Sequence, residues 1–169
     1  MTDKATSAQS KPTLRDRAFQ LAYVCAYRGM RLYWGIAHPT TEGALVALWH
    51  GGEVLLVRNS YVPYYSLPGG YIRRGEAPAD AVIRELGEEV GITAKAADLA
   101  LAFDHTHEWE GKSDHVRIFN LEVPVRPEVK VDHREVIEAA WWAPDRALAL
   151  NLFPPLRTVL SERIRPKGA

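Results

Sequence analysis

Apolar residues Leu14, Ala18, Leu21, Ala22, Cys25, Ala26 and Gly29 recur at spacings of three and four. That period predicts a helix from about Leu14 to Trp34, with this stripe packed on the domain. Tyr23, Tyr27, Tyr33 and Trp34 lie beside the stripe, so the helix is apolar on more than one side. His38-Pro39 and Gly43 then mark a loop. The runs Ala44–Trp49 and Glu53–Arg58 read as strands joined across His50-Gly51-Gly52, a hairpin signal. Tyr61 to Gly70 is irregular, with Pro63, Pro68, Gly69 and Gly70.

A second helix is predicted from Pro78, a favoured first helical residue, to Val90, with Gly91 as its stop. Further strands are expected at Ala97–His105, His115–Pro124 and Glu135–Ala143, with an acidic, polar loop at His107–Asp114 between the first two. Asp145–Leu150 reads as a short helix, and Pro154-Pro155 opens a last one over Leu156–Ile164. A polar tail at 1–12, an N-terminal helix and connection at 13–40, and a domain at 41–165 make up the expected organisation. Helices alternating with groups of strands predict an α+β fold, a mixed β-sheet flanked by helices.

Composition narrows the function without deciding it. Lys plus Arg and Asp plus Glu are 21 each in 169 residues, so the formal charge is zero. Neither nucleic acid nor a membrane surface is expected as a partner on that balance. An anionic small molecule stays open, because a bound cation would supply charge that the count omits. The single cysteine, Cys25, is expected to be a buried structural thiol and suits a reducing compartment. With no signal-like N-terminus, the expectation is cytoplasmic. The helix at 14–34 is expected to pack on the domain, its basic polar face being thin for attachment to a membrane; it could also build a homodimer interface.

The chemistry concentrates at residues 70–92. Glu85, Glu88 and Glu89 stand at i, i+3 and i+4, so their carboxylates share one helix face. Three like charges side by side repel, and a hard divalent cation taking oxygen ligands offsets that repulsion. Val82, Leu86 and Val90 fall on another face and would anchor the helix. Arg84 can brace Glu76 or a carboxylate of the cluster by a two-pronged hydrogen bond. Gly87 is a local cost of about 1 kcal/mol in a helix, explained by a close approach or by chance. A bare Glu-x-x-Glu-Glu would more often be a solvated acidic face. The full spacing Gly70-x5-Glu76-x7-Arg84-Glu85-U-x-Glu88-Glu89-x-Gly91-U, with U aliphatic, has a chance probability on the order of 10⁻⁷ and reverses that preference.

At these residues the chain resembles the Nudix hydrolase family, and the looser likeness runs from about residue 42 to 160. The resemblance implies a mixed sheet flanked by helices, Mg²⁺ or Mn²⁺ as cofactor, and hydrolysis of a nucleoside diphosphate linked to another moiety, such as a nucleotide sugar or ADP-ribose. It also implies that Glu85, Glu88 and Glu89 bind metal and supply the base, with the Gly70 carbonyl as an extra ligand. Glu85 is the leading base, and Glu108, Glu110 and Asp114 are alternatives from the 107–114 segment. Arg58, Tyr61, Tyr65 and Trp142 are candidate substrate contacts, alongside Tyr64. Trp141 and Trp142 should face opposite sides of their strand. His105, His107, His115 and His133 lack the paired spacing of a closed zinc site. The alternatives are removal of damaged nucleoside triphosphates and a regulatory binding module. Removal of mRNA caps is disfavoured by the lack of a basic stripe.

Overall fold

The computed structural model describes residues 12–164. The polar tail expected at 1–12 lies almost entirely outside them. The first helix, α1, covers Leu14–Ala37, three residues beyond the predicted end. Thr13 and Asp16 form a reciprocal capping box at its start.

Strand β1 runs over Thr40–His50 and β2 over Glu53–Asn59. The loop expected around Gly43 is therefore part of β1, where residues 40–49 pair in parallel with residues 113–122. Gly51 and Gly52 make the two-residue turn between β1 and β2 with φ of 57° and 82°, the left-handed pair that a tight hairpin of this kind needs. β1 and β2 pair only at Trp49–Val54 and His50–Glu53 and then part. Short strands β3 (Tyr65–Ser66) and β4 (Gly69–Tyr71) occupy the segment read as irregular. β4 pairs with the first half of β1, and β3 with the end of β2.

Helix α2 spans Pro78–Val90 and stops at Gly91. Next come β5 (Ala100–Trp109), β6 (Lys112–Glu122), β7 (Val136–Trp142), α3 (Pro144–Ala147) and α4 (Pro154–Ile164). The sheet runs β3-β2-β1-β6-β5, with β4 on β1 and β7 on β2. The loop expected at His107–Asp114 does not exist as a loop. β5 and β6 pair antiparallel as far as Trp109 and Lys112, leaving Glu110-Gly111 as the turn. The polar composition of this stretch hid the pairing, because Lys112 and Asp114 read as loop residues although the fold buries both.

The run 44–49 is apolar throughout because it is buried on both faces. Leu45, Ala47 and Trp49 join a core beneath α3 and α4, with Leu156, Val159 and Leu160. Ala44, Val46 and Leu48 join a second core beneath α2, with Val82, Leu86 and Val90. Helices thus cover both sides of one sheet. Trp141 and Trp142 divide between the two cores as alternation requires.

α1 packs with the opposite face from the one expected. The stripe from Leu14 to Gly29 is exposed, and Gln20, Tyr23, Val24, Tyr27 and Trp34 turn inward. Cys25 is accordingly exposed, not buried. The reason is aromatic packing. Tyr23 stacks on Tyr61 with ring centroids 6.0 Å apart, Tyr27 lies tilted against Tyr61 at 5.0 Å, and Tyr27 and Trp34 meet edge to face at 6.0 Å.

Candidate active site

The carboxylate helix is set by what lies beneath it and before it. Leu86, Val82 and Val90 are fully buried and fix the rotation of α2. β4 then brings Gly69 and Gly70 against Glu85 and Glu89. The Gly69 N–H donates to Glu89 Oε2 at 2.8 Å. A Cβ on Gly70 would stand 2.8 Å from Glu85 Oε1, so only glycine fits without moving that carboxylate.

Arg84 is the hub. Its Nε and Nη2 donate to the two oxygens of Glu76 at 2.8 and 3.0 Å, the two-pronged geometry expected of this pair. Nη1 donates to Glu85 at 2.5 Å and reaches Glu88 at 3.4 Å, while Nη2 also donates to the Tyr71 carbonyl at 3.2 Å. Glu76 in turn accepts the Arg73 N–H at 2.8 Å. The Arg84 hydrogen bonds hold the Glu76 carboxyl down to about 2. Gly87 has open space where a side chain would be, so no protein atom accounts for it.

Glu89 is only 6% exposed, and burial pushes its carboxyl well above the ordinary range, against the Gly69 N–H that lowers it. Burial also raises Glu85, against the opposing Arg84. Two further carboxylates contribute to the same field. Asp132 and Glu135 line a cavity of about 150 Å³ together with Tyr23, Glu85, Glu88 and Glu89. Asp132 is held by the N–H groups of Arg134, Glu135 and Val136, and Glu135 accepts the Tyr61 hydroxyl at 2.8 Å. Neither belongs to the 70–92 motif. They come from the segment before β7, some 45 residues on, and no spacing in the sequence marks them.

A larger cavity of about 530 Å³ opens beside this group. At one end stand Arg73, Arg84, Glu85, Glu88 and Glu135. The rest of its wall includes Tyr27, Trp34, Tyr61, Tyr64, Tyr71 and Trp109. Lys112, 4% exposed, lies between the rings of Trp34 and Tyr71 at 4.7 and 5.0 Å from their centroids. Desolvation works against its charge, yet hydrogen bonding to Tyr71 and pairing with Asp114 at 3.0 Å leave its pKa raised. That network holds both rings in place.

Of the candidate substrate contacts, only Tyr61 lines this cavity, joined by Tyr64. Arg58, Tyr65 and Trp142 stand together elsewhere. Arg58 donates to Glu138 at 3.1 Å, Tyr65 donates to the same carboxylate at 3.0 Å, and Tyr65 meets the edge of Trp142 at 6.2 Å. Among the alternative bases, Glu110 is bound by the Tyr27 hydroxyl and faces Arg31, and Asp114 is engaged by Lys112 and Thr41. Glu108 is exposed and does not line either cavity. Tyr23, Tyr27 and Trp34 were not singled out as site residues, although their spacing of four and seven places all three on one helix face.

The model of the NUDIX domain matches residues 39–162, and the chain belongs to that family. Two Bacillus subtilis relatives are provisionally named for their activities, one as an 8-oxo-dGTP diphosphatase and one as an ADP-ribose pyrophosphatase. The first is 42% identical over 55 residues, 32% of this chain, and the second 36% identical over 62 residues, 36% of this chain. The matches span only 37% and 30% of those relatives' own lengths. Among solved structures, a MutT NUDIX hydrolase from Burkholderia pseudomallei shares the fold with a TM-score of 0.65 and 24% identity, over 75% of this chain and 98% of that one. The NUDIX domain of Shewanella oneidensis NrtR, solved with ADP ribose, does so with a TM-score of 0.60 and 20% identity, over 75% and 86%. Helix α1, Leu14–Ala37, lies outside the matched family model.

Members of this family use a divalent cation, and the donor chemistry here fits one. Five carboxylates converge on one small cavity with Arg84 as the counter-charge nearest them, and oxygen donors are what Mg²⁺ and Mn²⁺ take. As the side chains stand, no three His, Cys, Asp or Glu among the described residues are drawn together to hold an ion. Glu85 is turned to Arg84 and Glu89 to Gly69.

Proposed function

We propose that the chain hydrolyses a phosphate–phosphate bond in a nucleoside diphosphate linked to another moiety, of the nucleotide-sugar or ADP-ribose type. The observation that supports this most is one cavity whose wall joins Arg73, Arg84, Glu85, Glu88 and Glu135 to the rings of Tyr27, Tyr61, Tyr64, Tyr71 and Trp109, with Glu110, Lys112 and Asp114 set among those rings. A nucleoside stacked among Tyr27, Tyr61, Tyr64 and Tyr71 would present its diphosphate to Glu85 and Glu88. Glu85, Glu88 and Glu89 would hold the cation, with the Gly70 carbonyl beside them. When bound, Mg²⁺ or Mn²⁺ would neutralise phosphate charge and make a bound water more acidic.

The protein's own part is to hold these groups apart and ready. Arg84 fixes the rotamer of Glu85 through Glu76, leaving one Glu85 oxygen for a proton from water. Glu135, held by Tyr61, is the second carboxylate placed to accept that proton. Tyr61 is the substrate contact retained from the sequence; Arg58, Tyr65 and Trp142 are assigned to the packing of β2 and β3 on β7.

The test is a panel of nucleoside diphosphate derivatives and nucleoside triphosphates, each with Mg²⁺ and with Mn²⁺, with products identified by mass. A diphosphate derivative should yield a nucleoside monophosphate and a phosphorylated partner, and Glu88→Gln or Glu89→Gln should lower turnover by roughly 100-fold or more. Pyrophosphate release from triphosphates as the fastest reaction would favour the clean-up reading. Full turnover in either variant would remove the metal assignment.

A further inference from the structure

The outward face of α1 has no role in the site. At about 100° per residue, Leu14, Leu21, Cys25, Leu32 and Ile36 fall on the side opposite Tyr23, Tyr27 and Trp34. Leu14, Leu21, Leu32 and Ile36 are 85, 65, 70 and 76% exposed. Of the eleven exposed large hydrophobic side chains among the described residues, seven belong to this one helix. The stripe follows all 24 residues, about 36 Å. Exposed apolar side chains recurring along that length, interrupted only at Arg28-Gly29, mark a contact.

Charge decides what the contact is. α1 carries Arg15, Arg17, Arg28 and Arg31 against a single acid, Asp16. Asp16 is turned inward, bonded to Thr13 and facing Arg134 at 3.6 Å, and Arg31 faces Glu110. Arg15 lies to one side of the stripe, and Arg17 and Arg28 to the other. A second copy of the chain would bring arginine rims against arginine rims, with no outward-facing acid on either helix to answer them. An anionic lipid surface answers the arginines and receives the stripe at once.

We propose that α1 is a membrane-surface helix, its outward stripe seated in the headgroup layer of an anionic phospholipid bilayer while its aromatic face stays on the domain. No helix among the described residues is long and apolar enough to cross a membrane, so the attachment is peripheral. The thin polar face that argues against attachment in the sequence belongs to a helix packed by its Leu14–Gly29 stripe. With that stripe outward, the arginines become its borders and the aromatic face needs no water.

The test is flotation of the full chain with vesicles of phosphatidylcholine alone and of phosphatidylcholine mixed with phosphatidylglycerol, with size measured by light scattering. The wild type should float with the mixed vesicles and stay behind with phosphatidylcholine, and added salt should weaken the binding. Leu21→Glu with Leu32→Glu should abolish flotation, and Arg17→Ala with Arg28→Ala should weaken it by roughly 25-fold, about fivefold per arginine. These four side chains are exposed, and an unchanged circular dichroism spectrum and melting point establish that the variants fold. The proposal fails if the wild type stays in solution with both vesicles, or if Leu21→Glu with Leu32→Glu floats equally well. A wild-type dimer that this double variant splits, without vesicle binding, overturns it in favour of a second copy.

Discussion

Two adjacent glycines in β4 serve different ends, and substitution separates them. A Cβ on Gly69, where φ is 139°, would lie 2.3 Å from the Ala44 carbonyl oxygen and 2.7 Å from the Leu45 Cα. Both are backbone atoms of a fully paired strand and cannot yield. Gly69→Ala should therefore cost about 3 kcal/mol, read as a shift in the urea midpoint. At Gly70 the obstacle is the far end of the Glu85 side chain, which can rotate away. Gly70→Ala should keep stability within about 1 kcal/mol of wild type yet lower kcat by tenfold or more, because it displaces a carboxylate at the reacting end. Equal losses of stability in the two variants would show that Gly70 is structural as well. The carboxylates were readable at this scale because their spacing is local to one helix. Asp132 and Glu135 were not, since only the pairing of β7 with β2 brings them near α2.

At the scale of elements, α2 was legible from end to end, with Pro78 and Gly91 as its limits and Val82, Leu86 and Val90 beneath it. α1 was legible as a helix but not in its rotation. It has two apolar faces, and periodicity cannot choose between aliphatic and aromatic stripes when the partner surface is itself aromatic. The ends of β5 and β6 that meet at Glu110-Gly111 were missed because their polar residues read as loop, although Lys112 and Asp114 there are buried. The contact of α1 with the turn of β5–β6 can be tested. The Tyr27 hydroxyl donates to Glu110, Arg31 faces the same carboxylate, and Gly111 lies so near Gly35 that a Cβ there would stand 3.1 Å from its Cα. Tyr27→Phe leaves a half-buried carboxylate with one partner fewer and should cost about 1.5 kcal/mol in chemical denaturation. Since Tyr27 also walls the cavity, KM should rise more than kcat falls.

Across the whole molecule, the neutral net charge conceals an imbalance at one place. Glu85, Glu88, Glu89, Asp132 and Glu135 meet in one cavity, and Glu85 and Glu89 have carboxyl groups pushed up by burial. A carboxyl whose folded pKa lies above its unfolded value of about 4.5 favours the fold while protonated. That contribution is complete below the unfolded pKa and is lost as pH rises through the raised folded one. Without a cation, the melting temperature should therefore fall as pH rises from about 5 toward neutrality. Glu76 acts in the opposite sense in a lower window. Its pKa is held down to about 2, so its contribution is present above its ordinary value and disappears as pH falls toward 2. The metal-free protein should be most resistant to heat between these windows. A divalent cation binds the ionised carboxylates, so its stabilisation must grow over the pH range in which the metal-free protein weakens. Melting curves with chelator and with Mg²⁺, at about pH 5 and about pH 7.5, should show the larger Mg²⁺ shift at the higher pH. In Glu89→Gln both the fall with pH and the Mg²⁺ shift should shrink together, because one buried carboxylate underlies both. A Mg²⁺ shift that survives in this variant would place the cation elsewhere and leave the carboxylate cavity without its counter-charge.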